Sequence, residues 1–247
     1  MAWTQNLCDL SAYQGQSIRI AFHFETDGGS TDYGWYIDDV SIEEGVLTFS
    51  NPEGFEDGIG DLAATRGLWE VGEPTAGPGQ AHTGSQCLGT VVDGTYNNLN
   101  DTRLVFPSVD LSATPQDGEI WLRYWQWFDT YNGNDIGNVE VSVNNGPWEI
   151  LPETLVYRNS VAWTQNLCDL SAYQGQSIRI AFHFETDGGS TDYGWYIDDV
   201  SIEEGVLTFS NPEGFVDGIG DLAATRGLWE VGEPTAGPIQ AHTGTNC

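Results

Sequence analysis

Two adjacent carboxylates, Asp198 and Asp199, interrupt an otherwise aromatic and aliphatic run, DYGWYIDDVSI at 192–202, and the same letters recur at 32–42. On a strand successive side chains face opposite ways. Trp195, Ile197 and Asp199 should therefore share one face, and Tyr196, Asp198 and Val200 the other. One carboxylate then points the same way as side chains bound for the interior. A buried carboxylate needs a partner or a metal, and cations are scarce: 37 Asp and Glu face seven Lys and Arg, every one of the seven an arginine. The acidic balance favours divalent cations, basic partners or a saline medium, and of the cations calcium takes several hard oxygen ligands. The competing expectation is a set of exposed acids with no ion.

Signals for other chemistry are thin. His23, His82, His183 and His242 lie in no HExxH, and no GxSxG is present. His183 alternates with apolar positions and reads as a solvent-facing strand residue. Gly58-Ile59-Gly60 starts like a dinucleotide fingerprint but has no βαβ unit around it. Paired acids can serve a glycosidase, yet acids are too abundant here for any pair to be informative. Trp121, Trp125 and Trp127 fall on one strand face and read as packing rather than as a sugar platform. No catalytic activity is expected. The net charge of −30 argues against nucleic acid or an anionic membrane as partner. No run of about 18 apolar residues exists to insert in a membrane, and no secretory leader is legible.

The elements that must position these residues come in repeats. Residues 2–87 recur as 162–247, an offset of 160, with four differences: Glu56/Val216, Gly79/Ile239, Ser85/Thr245 and Gln86/Asn246. A period of 160 is that of a whole domain. The chain reads as a window on a longer tandem array: 1–44 ends one repeat, 45–204 is a complete one, and 205–247 begins the next. The segment 16–25, QSIRIAFHFE, alternates cleanly and predicts a half-buried strand. Further strands are expected at 69–71, 88–92, 102–106, 119–128 and 138–143, separated by Asn, Gly and Asp clusters. Asn144-Asn145-Gly146 is a hairpin signal. No helical period persists. The expected class is all-β, an antiparallel two-sheet jelly-roll sandwich repeated with a period of 160 residues.

The junction EEGVLTFSNP at 43–52 is short and not of flexible-linker composition. Its VLTF reads as a strand, so Val46, Leu47 and Phe49, with Val206, Leu207 and Phe209 one repeat later, are expected at the contact between successive copies. An edge strand added to a neighbour is one way to make it.

The ordered set GFEDG (54–58), HTGSQCLGT (82–90), LVFPSVDLS (104–112), LRYWQWFDTYN (122–132), GNVEVSVNNGPWEIL (137–151), WTQNLCDLSAYQGQSIRIAFHF (163–184) and GWYIDDVSI (194–202) resembles the MAM-like jelly-roll domains. Such domains are appended to secreted bacterial proteins, including peptidases of the immune inhibitor A type, and to cell-surface proteins. The opening and closing motifs also resemble jelly-roll carbohydrate-binding modules. The resemblance covers nearly all of 45–204 and implies a non-catalytic extracellular module. It also implies one structural Ca2+ where first and last strands meet, held by Glu56 or Asp57 with Asp198 or Asp199. Val216 replaces Glu56 in the next copy, so either that site is weaker or Asp57 is the ligand. Asp129 and Asp135 are a second, weaker acidic candidate.

Cys8, Cys87, Cys168 and Cys247 recur one pair per period. Repeat symmetry allows Cys87–Cys168 within one domain, favoured because both fall in one complete module, or Cys8–Cys87 with Cys168–Cys247 between repeats. Either points outside the cell. Asn100 heads the sequon Asn100-Asp101-Thr102. The sequence thus predicts a calcium-stabilised extracellular fibre or cell-surface stalk whose partners are further copies of itself. A glycan-binding array and a non-catalytic appendage of a secreted hydrolase are the alternatives.

Overall fold

The computed structural model describes residues 3–114, 118–131, 134–208, 210, 213–223, 231–233 and 246. It divides into two units, 7–46 and the remainder, each described by itself.

The larger unit is all-β. In chain order its strands are β1 (Ala63–Arg66), β2 (Glu70–Gly72), β3 (Cys87–Gly89), β4 (Asp101–Val105), β5 (Val109–Asp110), β6 (Ile120–Asp129), β7 (Ile136–Val143), β8 (Trp148–Ile150), β9 (Thr164–Asp169), β10 (Ser177–Glu185) and β11 (Gly194–Glu204). One sheet runs β1-β4-β10-β7-β8, with β5 beside β10, and the other runs β2-β3-β11-β6-β9. All the pairings are antiparallel. This is the two-sheet antiparallel jelly-roll sandwich expected from the sequence. β4 and β5 lie along the same edge of β10 and are one path broken at Phe106-Pro107, where proline has no N–H to give the ladder.

The alternation read from the sequence places the core. Leu122 and Tyr124 from β6, Val139 and Val141 from β7, Ile178, Ile180, Phe182 and Phe184 from β10, and Trp195 and Ile197 from β11 fill the space between the sheets. Trp195 is central. It lies 5.4 Å from Phe182 and 6.1 Å from Trp69, ring centroid to ring centroid, and its indole N–H donates to Gln126 Oε1 at 3.0 Å. Gly137 is required beneath it, because an added Cβ would stand 2.6 Å from Trp195 Cε3.

The opening of the repeat folds back onto its own last strand. Glu53 and Val200 exchange both backbone hydrogen bonds, at 2.7 and 2.9 Å. The Asn51 amide does the same to the backbone of Ile202, at 2.8 and 3.0 Å. Phe55 adopts a left-handed conformation, φ 59°, which for an aromatic residue is costly, and its ring is fully buried. Segment 46–50 is not the strand the sequence suggested. Phe49 packs edge-to-face on Phe106 of its own repeat, 5.4 Å away, while Val46, Leu47 and Val206 are exposed. Of the residues expected at the inter-repeat contact, Phe49 thus turns to its own domain, and Val46, Leu47 and Val206 to solvent. Leu207 is half-buried, and Phe209 lies outside the described residues.

The smaller unit carries the letters of 167–206 but none of their strands. Ile18, Ile20, Phe22 and Phe24 are exposed, and the strand expected at 16–25 is not formed. The same sequence is β10 one period later because β4 and β7 flank it there. The chain contains only one copy of the residues that make those two strands, and an unpaired strand is not stable in water.

Candidate functional site

The acidic pair sits on a β-bulge. Pairing of β11 with β6 slips between Asp198 and Ser201, and Asp199 takes φ 48°. A bulge breaks alternation, so the expected separation of the two carboxylates to opposite faces does not hold. Both meet the loop at 82–86. Asp198 is fully buried, on the Tyr196 side, and its Oδ2 accepts the N–H of His82 at 2.9 Å and of Thr83 at 3.2 Å. Its Oδ1 accepts the N–H of Asp199 at 2.8 Å. Asp199 Oδ2 lies 2.6 Å from His82 Nδ1, and Asp199 Oδ1 accepts the Thr83 hydroxyl at 2.6 Å.

Glu56 bonds to the same loop further along, at Ser85 and Gln86. It accepts the N–H of Ser85 at 2.8 Å and of Gln86 at 2.7 Å, and the Ser85 hydroxyl at 3.0 Å. Gly84 is left-handed, and a side chain there would collide with the Glu56 carboxylate. Asp57 is exposed and lines a different depression, with Thr48, Glu53 and Asp61. Three of the four acids read from the sequence therefore bond to one loop, and Asp57 does not. Among the described residues the acidic group whose ligand atoms lie within 4.8 Å of one another is a different one, Asp101, His183 and Glu185.

Electrostatics mark the cluster. Burial, reinforced by Asp199, raises the Asp198 carboxyl to about 7. Burial opposes ionisation of Asp199 too, but hydrogen bonds from His82 and Thr83 outweigh it and hold that carboxyl below its usual range. The N–H groups of Gln86 and Ser85 hold Glu56 low, against a small opposing effect of Asp199. Three carboxyl groups thus bond to one loop, with the His82 ring beside Asp199. The donors are hard oxygens of the type calcium takes, and all six are engaged by groups of the loop or by the Asp199 N–H. Thr83 gives its hydroxyl to Asp199 and not to His82, so the His82–Asp199 pair lacks the nucleophile arrangement of an acyl-transfer site.

His82 and Thr83 were not legible as site residues, since 116 positions separate Asp198 from His82. The signal available was turn chemistry in the HTGSQ stretch. The His82 ring stacks on Trp125 with centroids 3.8 Å apart, and the Trp163 indole N–H donates to Gln80 O at 3.1 Å. Trp121, Trp125 and Trp127 do share the outward face of β6, but this loop covers Trp125, and Trp127 is buried with Tyr196.

The remaining candidates fare differently. Cys87 and Cys168 are free, a correction to the expected bridge. They lie on β3 and β9, with β11 and β6 between them in the sheet. Three strand spacings put them about 14 Å apart, twice the reach of a disulfide. Cys8 is also free, and Cys247 lies outside the described residues. Asp129 and Asp135 are not one site. Asp135 is buried and accepts the Tyr96 hydroxyl at 2.6 Å, whereas burial and Asp192 raise Asp129 to about 6. Asn100 is half-buried at the head of β4, and the Thr102 hydroxyl is spent on the carbonyls of Arg66 and Leu68.

His183 is buried, not solvent-facing. It bridges Glu140 Oε1 at 3.0 Å and Asp101 Oδ1 at 2.9 Å, and Arg103 Nε donates to Glu140 at 2.7 Å. Asp101 also pairs with Arg66.

Comparisons with known proteins follow the fold. No protein-family model matches the chain. Over 170 residues, 67% of the chain, it is 32% identical to part of Bacillopeptidase F of Bacillus subtilis (strain 168). Over 98 residues it is 28% identical to part of the Pre-pro-metalloprotease PrtV of Vibrio cholerae serotype O1 (strain M66-2). Among solved structures, TmCBM61 in complex with beta-1,4-galactotriose aligns at TM-score 0.44 and 19% identity, over 64% of this chain and 99% of that one. The K1 cleaved adhesin domain of Lys-gingipain from Porphyromonas gingivalis W83 aligns at TM-score 0.39 and 22% identity, over 61% and 95%. The chain spans 11% of the length of the curated relatives it matches.

Proposed function

We propose that residues 45–204 are a non-catalytic extracellular module, stiffened by calcium and used in series with copies of itself as a stalk or fibre. The observation that carries this reading is the closure of the repeat on itself. Asn51 and Glu53 at its start are bonded to Ile202 and Val200 at its end, so entry and exit lie together on one finished sandwich. A unit closed in this way can be repeated without redesign, because each copy brings its own core and the same surface recurs.

Glu56, Asp198 and Asp199 would hold the ion where the opening segment meets β11, which ties the same two ends again. Bound there, calcium would supply counter-charge to carboxylates that now lean on backbone N–H groups. The covered Trp125 and Trp127 count against an open aromatic platform for sugars on this face. The similarity to parts of two larger proteases supports the second reading, a non-catalytic appendage of a secreted hydrolase. The test is thermal unfolding of the 247-residue chain in calcium and in chelator, beside Asp199→Asn, together with a glycan-binding screen. Calcium-dependent stabilisation lost in the variant supports the stalk reading. Saturable glycan affinity would overturn it in favour of a binding array.

A further inference from the structure

The two sheets have four edge strands, β1 and β8 on one and β2 and β9 on the other. Edge strands present unpaired backbone groups and are usually covered. Here another repeat's sequence lies against β1 and against β9. Gln5 is the counterpart of Gln165, one period earlier. Its backbone carbonyl accepts the N–H of Ala64 on β1 at 3.1 Å. Its side-chain amide donates to Gly60 O at 2.8 Å and to Leu62 O at 3.1 Å. On β9 the Gln165 amide donates to Gly220 O and Leu222 O, both at 2.9 Å. Gly220 and Leu222 are the counterparts of Gly60 and Leu62, so one donor meets the same two acceptors in both places. Gln165 is 4% exposed.

Arg123, beside it on the outward face of β6, adds a charged clasp. Its guanidinium donates to Glu203 of its own repeat through Nε and Nη2, at 3.0 to 3.2 Å. It also reaches Gly220 O at 3.1 Å and Asp221 Oδ1 at 2.7 Å. The other Asp221 oxygen accepts the N–H of Thr208 at 2.8 Å, as Asp61 accepts that of Thr48 at 2.9 Å. Thr48 and Thr208 thus orient the same aspartate in the two copies, and at Asp221 that aspartate meets Arg123 of the repeat before it. Planar, forked contacts of this kind fix geometry as well as adding energy.

We infer that β9 and the outward face of β6 form a docking site whose occupant is the Gly-Asp-Leu run opening the following copy of this module, and that every joint in the series is this same latch. The inference rests on the reading of the module as a unit used in series and supplies its partner. The contact is head-to-tail, with a different surface on each side of every joint.

Amide hydrogen exchange on the intact 247-residue chain tests this. Segment 205–223 should exchange slowly, and Gln165→Ala and Arg123→Ala should each speed it roughly tenfold, the loss of a charge-assisted or doubly made hydrogen bond. The β10 segment 177–185 should be unchanged in both. Asp221→Ala acts from the partner side, outside the complete repeat, and, because it also frees the Thr208 N–H, should speed exchange at least as much even if Arg123→Ala disturbs the fold. Equal exchange of 205–223 in wild type and Asp221→Ala overturns the latch. Glycan affinity or calcium-insensitive unfolding, which would sink the module reading, does not register in this measurement.

Discussion

Glu140 should matter more to stability than the histidine it holds. It is 6% exposed on β7 and faces two cations, Arg103 at 2.7 Å and His183 at 3.0 Å. Glu140→Gln keeps the shape but leaves both cations short of a buried counter-charge, a loss of about 3–5 kcal/mol where one partner of a buried pair is removed. His183→Gln leaves Glu140 with Arg103 and Asp101 with Arg66, and should cost only about 1–2 kcal/mol. The pH dependence has a definite sign. Burial pulls His183 down, but hydrogen bonds to Glu140 and then Asp101 outweigh it and raise the folded value above 6.5. The stability this gives is fully present below pH 6.5 and is lost as pH rises through the folded value. Urea unfolding from pH 5.5 to 9 should show that loss in wild type, and less of it in Glu140→Gln. A smaller penalty for Glu140→Gln than for His183→Gln, or an unchanged pH slope, would refute the reasoning.

Three further outcomes are expected. If calcium binds only the folded module, a concentration one hundred times its Kd should add about 2.7 kcal/mol and raise Tm by roughly 5–10 °C. Scanning calorimetry should show this rise in wild type and not in Asp199→Asn. Cys8, exposed, should react with a thiol reagent in the native chain, while Cys87 and Cys168, which burial pushes up to about 12, should react only after unfolding; a native Cys87–Cys168 disulfide in peptide mass spectra would contradict the sheet order. Gly137→Ala should cost about 1–3 kcal/mol by driving a methyl group into Trp195, and a neutral denaturant midpoint would show that the Trp195 packing is looser than described.

The duplicated text separates what local sequence decides from what packing decides. Ser11–Tyr13 and Ser171–Tyr173 form the same 3-10 turn. Asp39 and Asp199 take φ 50° and 48°, and the N–H of Asp39 donates to Asp38 Oδ1 just as that of Asp199 donates to Asp198 Oδ1. These features close within a few residues, so the sequence by itself determined them, along with the alternation that assigns Ile178, Ile180, Phe182 and Phe184 to a core. Whether that alternation becomes a strand was decided by tertiary structure. Letters 177–185 form β10 because β4 and β7 satisfy its backbone on both sides, and letters 17–25 form none. The acidic site divides the same way. Asp198 and Asp199 stood out as carboxylates in an apolar run, but their meeting on one loop needed a bulge, and their partners His82 and Thr83 come from more than a hundred residues away. Backbone hydrogen bonds of a sheet and the donors around a buried carboxylate are long-range contacts, and only the folded chain brings them into reach.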